Sequence, residues 1–95
     1  MTKEDIRILL VDDERQFVDT LAERLAMRGF AARVAYDGPE ALKAVEQPTD
    51  VIVLDLRMPG MDGFEVLRNV KKSNPLVQVI ILTGHGGDAE EQTAY

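Results

Sequence analysis

Three carboxylates and a hydroxyl stand where short apolar runs end. Asp12-Asp13 follow IRILLV, Asp55 closes VIVLD, and Thr83, with Gly84 next, closes VQVIILT. A carboxylate at the end of a run suited to full burial is costly unless something satisfies it. Three of them held together repel one another, and a hard divalent cation answers that repulsion. Magnesium takes oxygen ligands and combines one or two carboxylates with phosphate oxygens and water. Asp12, Asp13 and Asp55 suit it better than zinc, which favours His or Cys: the chain has no cysteine and one histidine, His85. Beside such a metal a carboxylate can attack phosphorus and form an aspartyl phosphate. Phosphoryl transfer needs positioning and charge neutralisation above all. The Thr83 hydroxyl can donate to a phosphoryl oxygen, Gly84 lets backbone N–H groups come close, and the loop at Arg57 offers another N–H.

Each of these residues also has an ordinary structural use. Asp13 and Gln16 have capping-box spacing before a helix, and so do Asp62 and Glu65, where the cap is the main role. Thr83 fits a strand, and His85 fits an exposed loop. Met58 and Met61 are expected to pack in or over their loop. What favours chemistry is the coincidence of place, because all the acids in question fall at the same end of successive strands.

The elements that would bring them together are legible in the pattern. IRILLV (6–11) is too short for a helix and too uniformly apolar for a half-exposed strand, so it reads as a buried parallel strand. Phe17, Val18, Leu21, Ala22 and Leu25 form one helical face that Gly29 ends. AARVA (31–35) is a second strand. Gly38-Pro39 opens a second helix, with Ala41, Leu42 and Val45 inward and Gln47-Pro48 as its stop. VIVLD (51–55) is the third strand. The loop LRMPGMDG leads to a third helix from Gly63 to Ser73, with Phe64, Leu67 and Val70 inward and Asn74-Pro75 beyond it. VQVIILT (77–83) is a fourth strand, and Asp88 and Glu91 have the spacing of a cap for a fourth helix. Four alternations of strand and helix predict a parallel sheet with helices on both faces. Ligands of such sheets sit beyond the carboxyl ends of the strands, where strand order reverses.

Composition agrees with one small domain: 95 residues, 45% hydrophobic, no repeat and no linker. The net charge of −6 argues against a nucleic-acid surface in this segment. The longest apolar runs are far short of a membrane span. The polar start MTKEDIR carries no apolar signal region, which points to the cytoplasm.

The paired acids in ILLVDDE, the strand-end acid in VIVLDLRMPGMDG, YDGPEAL and VIILTGHG together resemble the receiver domain of bacterial two-component response regulators. The likeness runs from about Ile6 to the end of the chain. It implies a CheY-like, flavodoxin-like doubly wound sheet of strand order 2-1-3-4. It implies Asp55 as phosphoacceptor, charged by a histidine of a sensor kinase or phosphotransfer protein, or by a small phosphodonor. Mg2+ would be bound by Asp13, by Asp12 through water, by Asp55 and by the backbone carbonyl of Arg57. Thr83 would contact the phosphoryl group and move as the switch, with Gly84 offering its N–H, and the Arg57 side chain would tune phosphoryl lifetime. The family's pattern continues with a fifth strand and helix, which carry a lysine and a switching aromatic residue. The chain as given stops before them, and Lys71 and Lys72 cannot supply that lysine by position. With the fifth unit missing, the fourth strand is expected to be an apolar edge. Marginal stability, or a dimer or swapped assembly, is then expected.

These readings imply a switch that changes partner or effector affinity. They imply no metabolite turnover, only self-catalysed phosphoryl acceptance and autodephosphorylation. Two other functions compete. A magnesium-dependent aspartyl-phosphate phosphatase would carry an acid two residues after its nucleophile, and here that position is Arg57. A phosphorylation-independent interaction module would have no need of the intact acid set. An effector domain, if the protein has one, would lie after residue 95.

Overall fold

The computed structural model describes residues 2, 5–58, 60 and 62–82. Seven elements follow in order: β1 (Arg7–Val11), α1 (Arg15–Met27), β2 (Ala31–Ala35), α2 (Gly38–Ala44), β3 (Val51–Asp55), α3 (Gly63–Ser73) and β4 (Gln78–Leu82). The strands form one parallel sheet in the order β2-β1-β3-β4, as the resemblance implied. Among the described residues β2 and β4 are its edges. The expected fourth helix, with its Asp88 and Glu91, lies outside the described residues.

The strands are apolar at nearly every position because both sheet faces are covered. On one face Leu9, Val11, Ile52, Leu54, Val79 and Ile81 pack with Ala41 and Val45 of the α2 segment and Val66 and Val70 of α3. On the other, Ile8 and Leu10 pack with Val18 of α1, flanked by the half-buried Leu21, Leu25 and Val53. Burying each of these Val, Leu and Ile side chains stabilises the fold by about 1.5–3 kcal/mol.

The helix ends follow local chemistry. Asp37 caps α2: its Oδ1 accepts the Glu40 N–H at 2.8 Å, while Glu40 Oε1 accepts the Tyr36 N–H at 2.8 Å. Asp62 caps α3 as its spacing predicted, accepting the Glu65 N–H at 2.8 Å. Asp13 does not cap α1. The cap position belongs to Glu14, whose side chain makes no capping bond. Arg33 reaches from β2 to the end of α2, where it donates to the Ala44 carbonyl at 2.8 Å and to Thr49 Oγ1 at 2.7 Å. A cation there complements the carbonyl end of the helix.

Two expected core residues are displaced outward. Phe17 and Phe64 are 40% and 54% exposed. Each lies in the first turn of its helix, at the carboxyl end of the sheet. Val66 takes the inward place on α3 that the reading gave to Phe64.

Candidate functional site

Strand register places the acids. Val11 pairs with Leu54, so the next residues, Asp12 and Asp55, leave the two central strands side by side. Because the chain runs from β2 back across β1 to β3, the order reverses between β1 and β3. Asp12 and Asp55 therefore flank the switch point, where α/β sheets bind ligands. The Asp12 N–H donates to the Ala35 carbonyl at 3.1 Å, which ties the end of β1 to β2.

Both side chains are aimed by the same local device. Asp12 Oδ1 accepts the Glu14 N–H at 2.9 Å, and Asp55 Oδ1 accepts the Arg57 N–H at 3.0 Å. Each bond spans two residues and turns the chain sharply away from its strand. This explains why the cap position of α1 falls on Glu14, one residue after Asp13. It also means that the Arg57 N–H, read from sequence as a free donor for a ligand, is engaged by Asp55.

Asp12 and Asp55 are 2% and 1% exposed, while Asp13 is open to solvent. One oxygen from each of the three carboxylates lies within 4.8 Å of the others. Two buried acids and one exposed acid, all presenting oxygen, form a donor set that fits a hard cation such as Mg2+ and leaves one side open to water or phosphate oxygens. Met58 is buried in the core beneath the loop, as expected, and Gly63 closes that loop by donating its N–H to the Leu56 carbonyl at 3.3 Å. Thr83, Gly84 and Met61 lie outside the described residues. Lys71 is at the opposite end of the sheet, donating to the Val77 carbonyl at 2.8 Å, which agrees with its exclusion from the site.

The rim holds a cluster that the sequence reading passed over. The Tyr36 hydroxyl donates to Asp19 Oδ1 at 2.7 Å, and the Arg15 guanidinium stacks 4.0 Å from the Tyr36 ring centre. The hydrogen bond to Asp19 holds the Tyr36 phenol above its ordinary pKa, with desolvation and the Asp19 charge adding to it. Tyr36 ends β2 without a charged group, and nothing local in the sequence pairs it with α1. The only available sign was Asp37-Gly38-Pro39-Glu40, whose spacing marks a cap.

A doubly wound parallel sheet with acids gathered at its switch point is the layout of a receiver domain. The chain belongs to the response regulator receiver domain family, whose sequence profile matches residues 8–95. The transcriptional regulatory protein CpxR of Klebsiella pneumoniae is 37% identical over 84 residues, which cover 88% of this chain and 36% of CpxR. The chain thus spans about a third of the length of such curated relatives. The response regulator TrrA of Thermotoga maritima, solved in complex with Mg(2+)-BeF, superposes with a TM-score of 0.76. It is 38% identical, over 82% of this chain and 69% of TrrA. A response regulator from Burkholderia pseudomallei, solved with a phosphorylated aspartic acid, a calcium ion and citrate, has a TM-score of 0.79 and 32% identity. That match covers 85% of this chain and 48% of the other. Family membership assigns the chain to phosphorylation-based two-component signalling. No helix among the described residues is long and apolar enough to cross a membrane.

Proposed function

We propose that the chain is a switch in which Asp55 accepts a phosphoryl group from a phosphohistidine of a sensor kinase or phosphotransfer protein. The observation that carries this reading is the meeting of three carboxylate oxygens within 4.8 Å at the switch point. Asp12, Asp13, Asp55 and the Arg57 carbonyl would hold Mg2+, with Asp12 acting through water. The bound ion would neutralise charge on the phosphoryl oxygens and align them. Asp55 supplies the nucleophile: a carboxylate oxygen bonds to phosphorus as the phosphorus–nitrogen bond to the donor histidine breaks, and the electron pair leaves with the imidazole. Its backbone, held by β3, and the bond from the Arg57 N–H fix the direction of that oxygen.

Burial of Asp12 and Asp55 lowers the local dielectric, so each charge that enters or leaves the pocket acts strongly on its neighbours. A phosphoryl group on Asp55 adds negative charge and new acceptor oxygens at that point. Thr83 and Gly84 take the roles the resemblance implies, hydroxyl and N–H contacts to that group. The output is a change in affinity for a partner or effector, not turnover of a metabolite. The Mg(2+)-BeF complex of TrrA and the phosphorylated aspartic acid of the Burkholderia regulator support the same chemistry here.

Fluorine NMR with beryllofluoride and Mg2+ tests the proposal. A bound fluoride resonance is expected in the wild-type chain, dependent on Mg2+ and missing from Asp55→Asn. A folded chain showing no bound resonance contradicts it.

A further inference from the structure

We infer that Gly63 is a positioning residue for the acid pocket: its missing Cβ lets the start of α3 press against the turn that aims Asp55 and Arg57. This rests on the reading of Asp12, Asp13, Asp55 and Arg57 as the Mg2+ site. Glycine is a poor helix former, so its presence in the first helical position needs a reason. Backbone conformation is not that reason, since among the described residues only Gly29 and Gly60 have positive φ. Space is the reason. A Cβ at position 63 would lie 2.5 Å from Leu56 Cα, 2.7 Å from Leu56 Cδ2 and 2.9 Å from the Asp55 carbonyl oxygen. The first and third of these are backbone atoms that no rotamer change can remove.

The part that must yield is the turn. The helix is anchored by the Asp62 cap and by Val66 and Val70, which are 0% and 1% exposed. In the turn, Leu56 is only half-buried against the core, and its carbonyl takes the Gly63 N–H in a long bond of 3.3 Å. Asp55 and Leu56 are the links between the Asp55 carboxylate and the Arg57 N–H that holds it at 3.0 Å. Moving Leu56 off the helix therefore rotates the carboxylate and the Arg57 carbonyl together. Groups that orient metal ligands in this indirect way commonly change affinity by about ten- to hundredfold when altered.

Mg2+ titration calorimetry on wild type, Gly63→Ala and Gly29→Ala tests this, with thermal melts of each. Gly29 ends α1 at the far end of the sheet with φ of 92°, so alanine there strains the backbone without reaching the turn. Gly29→Ala is expected to melt lower and bind Mg2+ as the wild type does. Gly63→Ala is expected to bind about ten- to hundredfold more weakly. A folded Gly63→Ala with wild-type affinity overturns the inference while leaving the metal site standing. A wild-type chain that binds no Mg2+ removes the site reading and the inference together.

Should Gly63→Ala not fold, hydrogen exchange on the wild type decides. Coupling is reciprocal, so Mg2+ must stabilise the Gly63 N–H bond to Leu56. That amide is expected to slow more on Mg2+ addition than the Gln78 amide, which bonds the Asp50 carbonyl at 3.0 Å at the other end of the sheet. Equal slowing of the two overturns the inference.

Discussion

Replacing Asp55 with Asn should make the metal-free protein more stable. Asp12 and Asp55 are both buried, with oxygens no more than 4.8 Å apart. At that distance and an effective dielectric of about 20, two full charges repel by ~3.5 kcal/mol. Asp13 is exposed and screened, so its share stays below about 1 kcal/mol. Two effects offset the gain. The bond from the Arg57 N–H becomes a neutral one, roughly half as strong, a loss of about 1 kcal/mol. The new amide group must also find an acceptor, and the Asp12 and Asp13 carboxylates have oxygens within 4.8 Å; fixing that geometry costs about 1 kcal/mol. A net gain of roughly 1.5–2.5 kcal/mol remains, which for a chain of this size raises the melting temperature by roughly 6–20 °C. Circular dichroism melts in EDTA measure it. Adding Mg2+ should stabilise the wild type alone, by about 2.7 kcal/mol at a hundredfold excess over the dissociation constant, and so close or reverse the gap. A variant that melts at or below the wild type in EDTA would refute the argument, because it would show that the pocket already compensates its own charge.

Leu9 is 0% exposed in the central strand, and Leu9→Ala should lose about 2–5 kcal/mol by urea unfolding, enough to unfold a small domain in part. Asp50 accepts the Arg7 Nε–H at 3.1 Å and the Arg7 N–H at 2.8 Å, and these bonds hold its carboxyl below the ordinary 3.8. A depressed folded value contributes stability above the unfolded pKa and loses it as pH falls through the folded one. The melting difference between wild type and Asp50→Asn should therefore be present at neutral pH and fade in acid below that value. Tyr36 behaves in the opposite sense: its raised phenol pKa gives stability below the ordinary 10.0 that is lost as pH rises through the folded value. Ultraviolet titration in a Tyr95→Phe background should show a phenol that ionises at lower pH once Asp19 is changed to Asn.

Much of the fold could be read because burial on both faces writes long apolar runs into the strands, and VIVLD and AARVA matched β3 and β2 residue for residue. The acids were legible for the same reason, since a charge is conspicuous at the end of such a run. Phase within a helix was harder. FEVLRNV offers Phe64 or Val66 to join Leu67 and Val70 on the inward face; size favoured Phe64, whereas Val66 is the buried one. Phe64 stands on the outer side of the first turn of α3, where Gly63 and Val66 take the inward places. On α1 the inward place in the first turn falls likewise to Val18, and Phe17 is exposed. The cap of α1 was misplaced by one residue because Asp12, and not Asp13, receives the N–H that starts the turn. The contact of Tyr36 with Asp19 and Arg15 joins a strand end to a helix across the rim, and only the packed fold brings them together.

The proposed switch depends on Asp55 as its phosphoryl acceptor. Intact-mass spectrometry after incubation with Mg2+ and a small phosphodonor tests it most directly, with Asp55→Asn treated in parallel. One added phosphoryl group is expected on the wild type, dependent on Mg2+, and none on the variant. No addition to the folded wild type, or equal addition to both proteins, would contradict it.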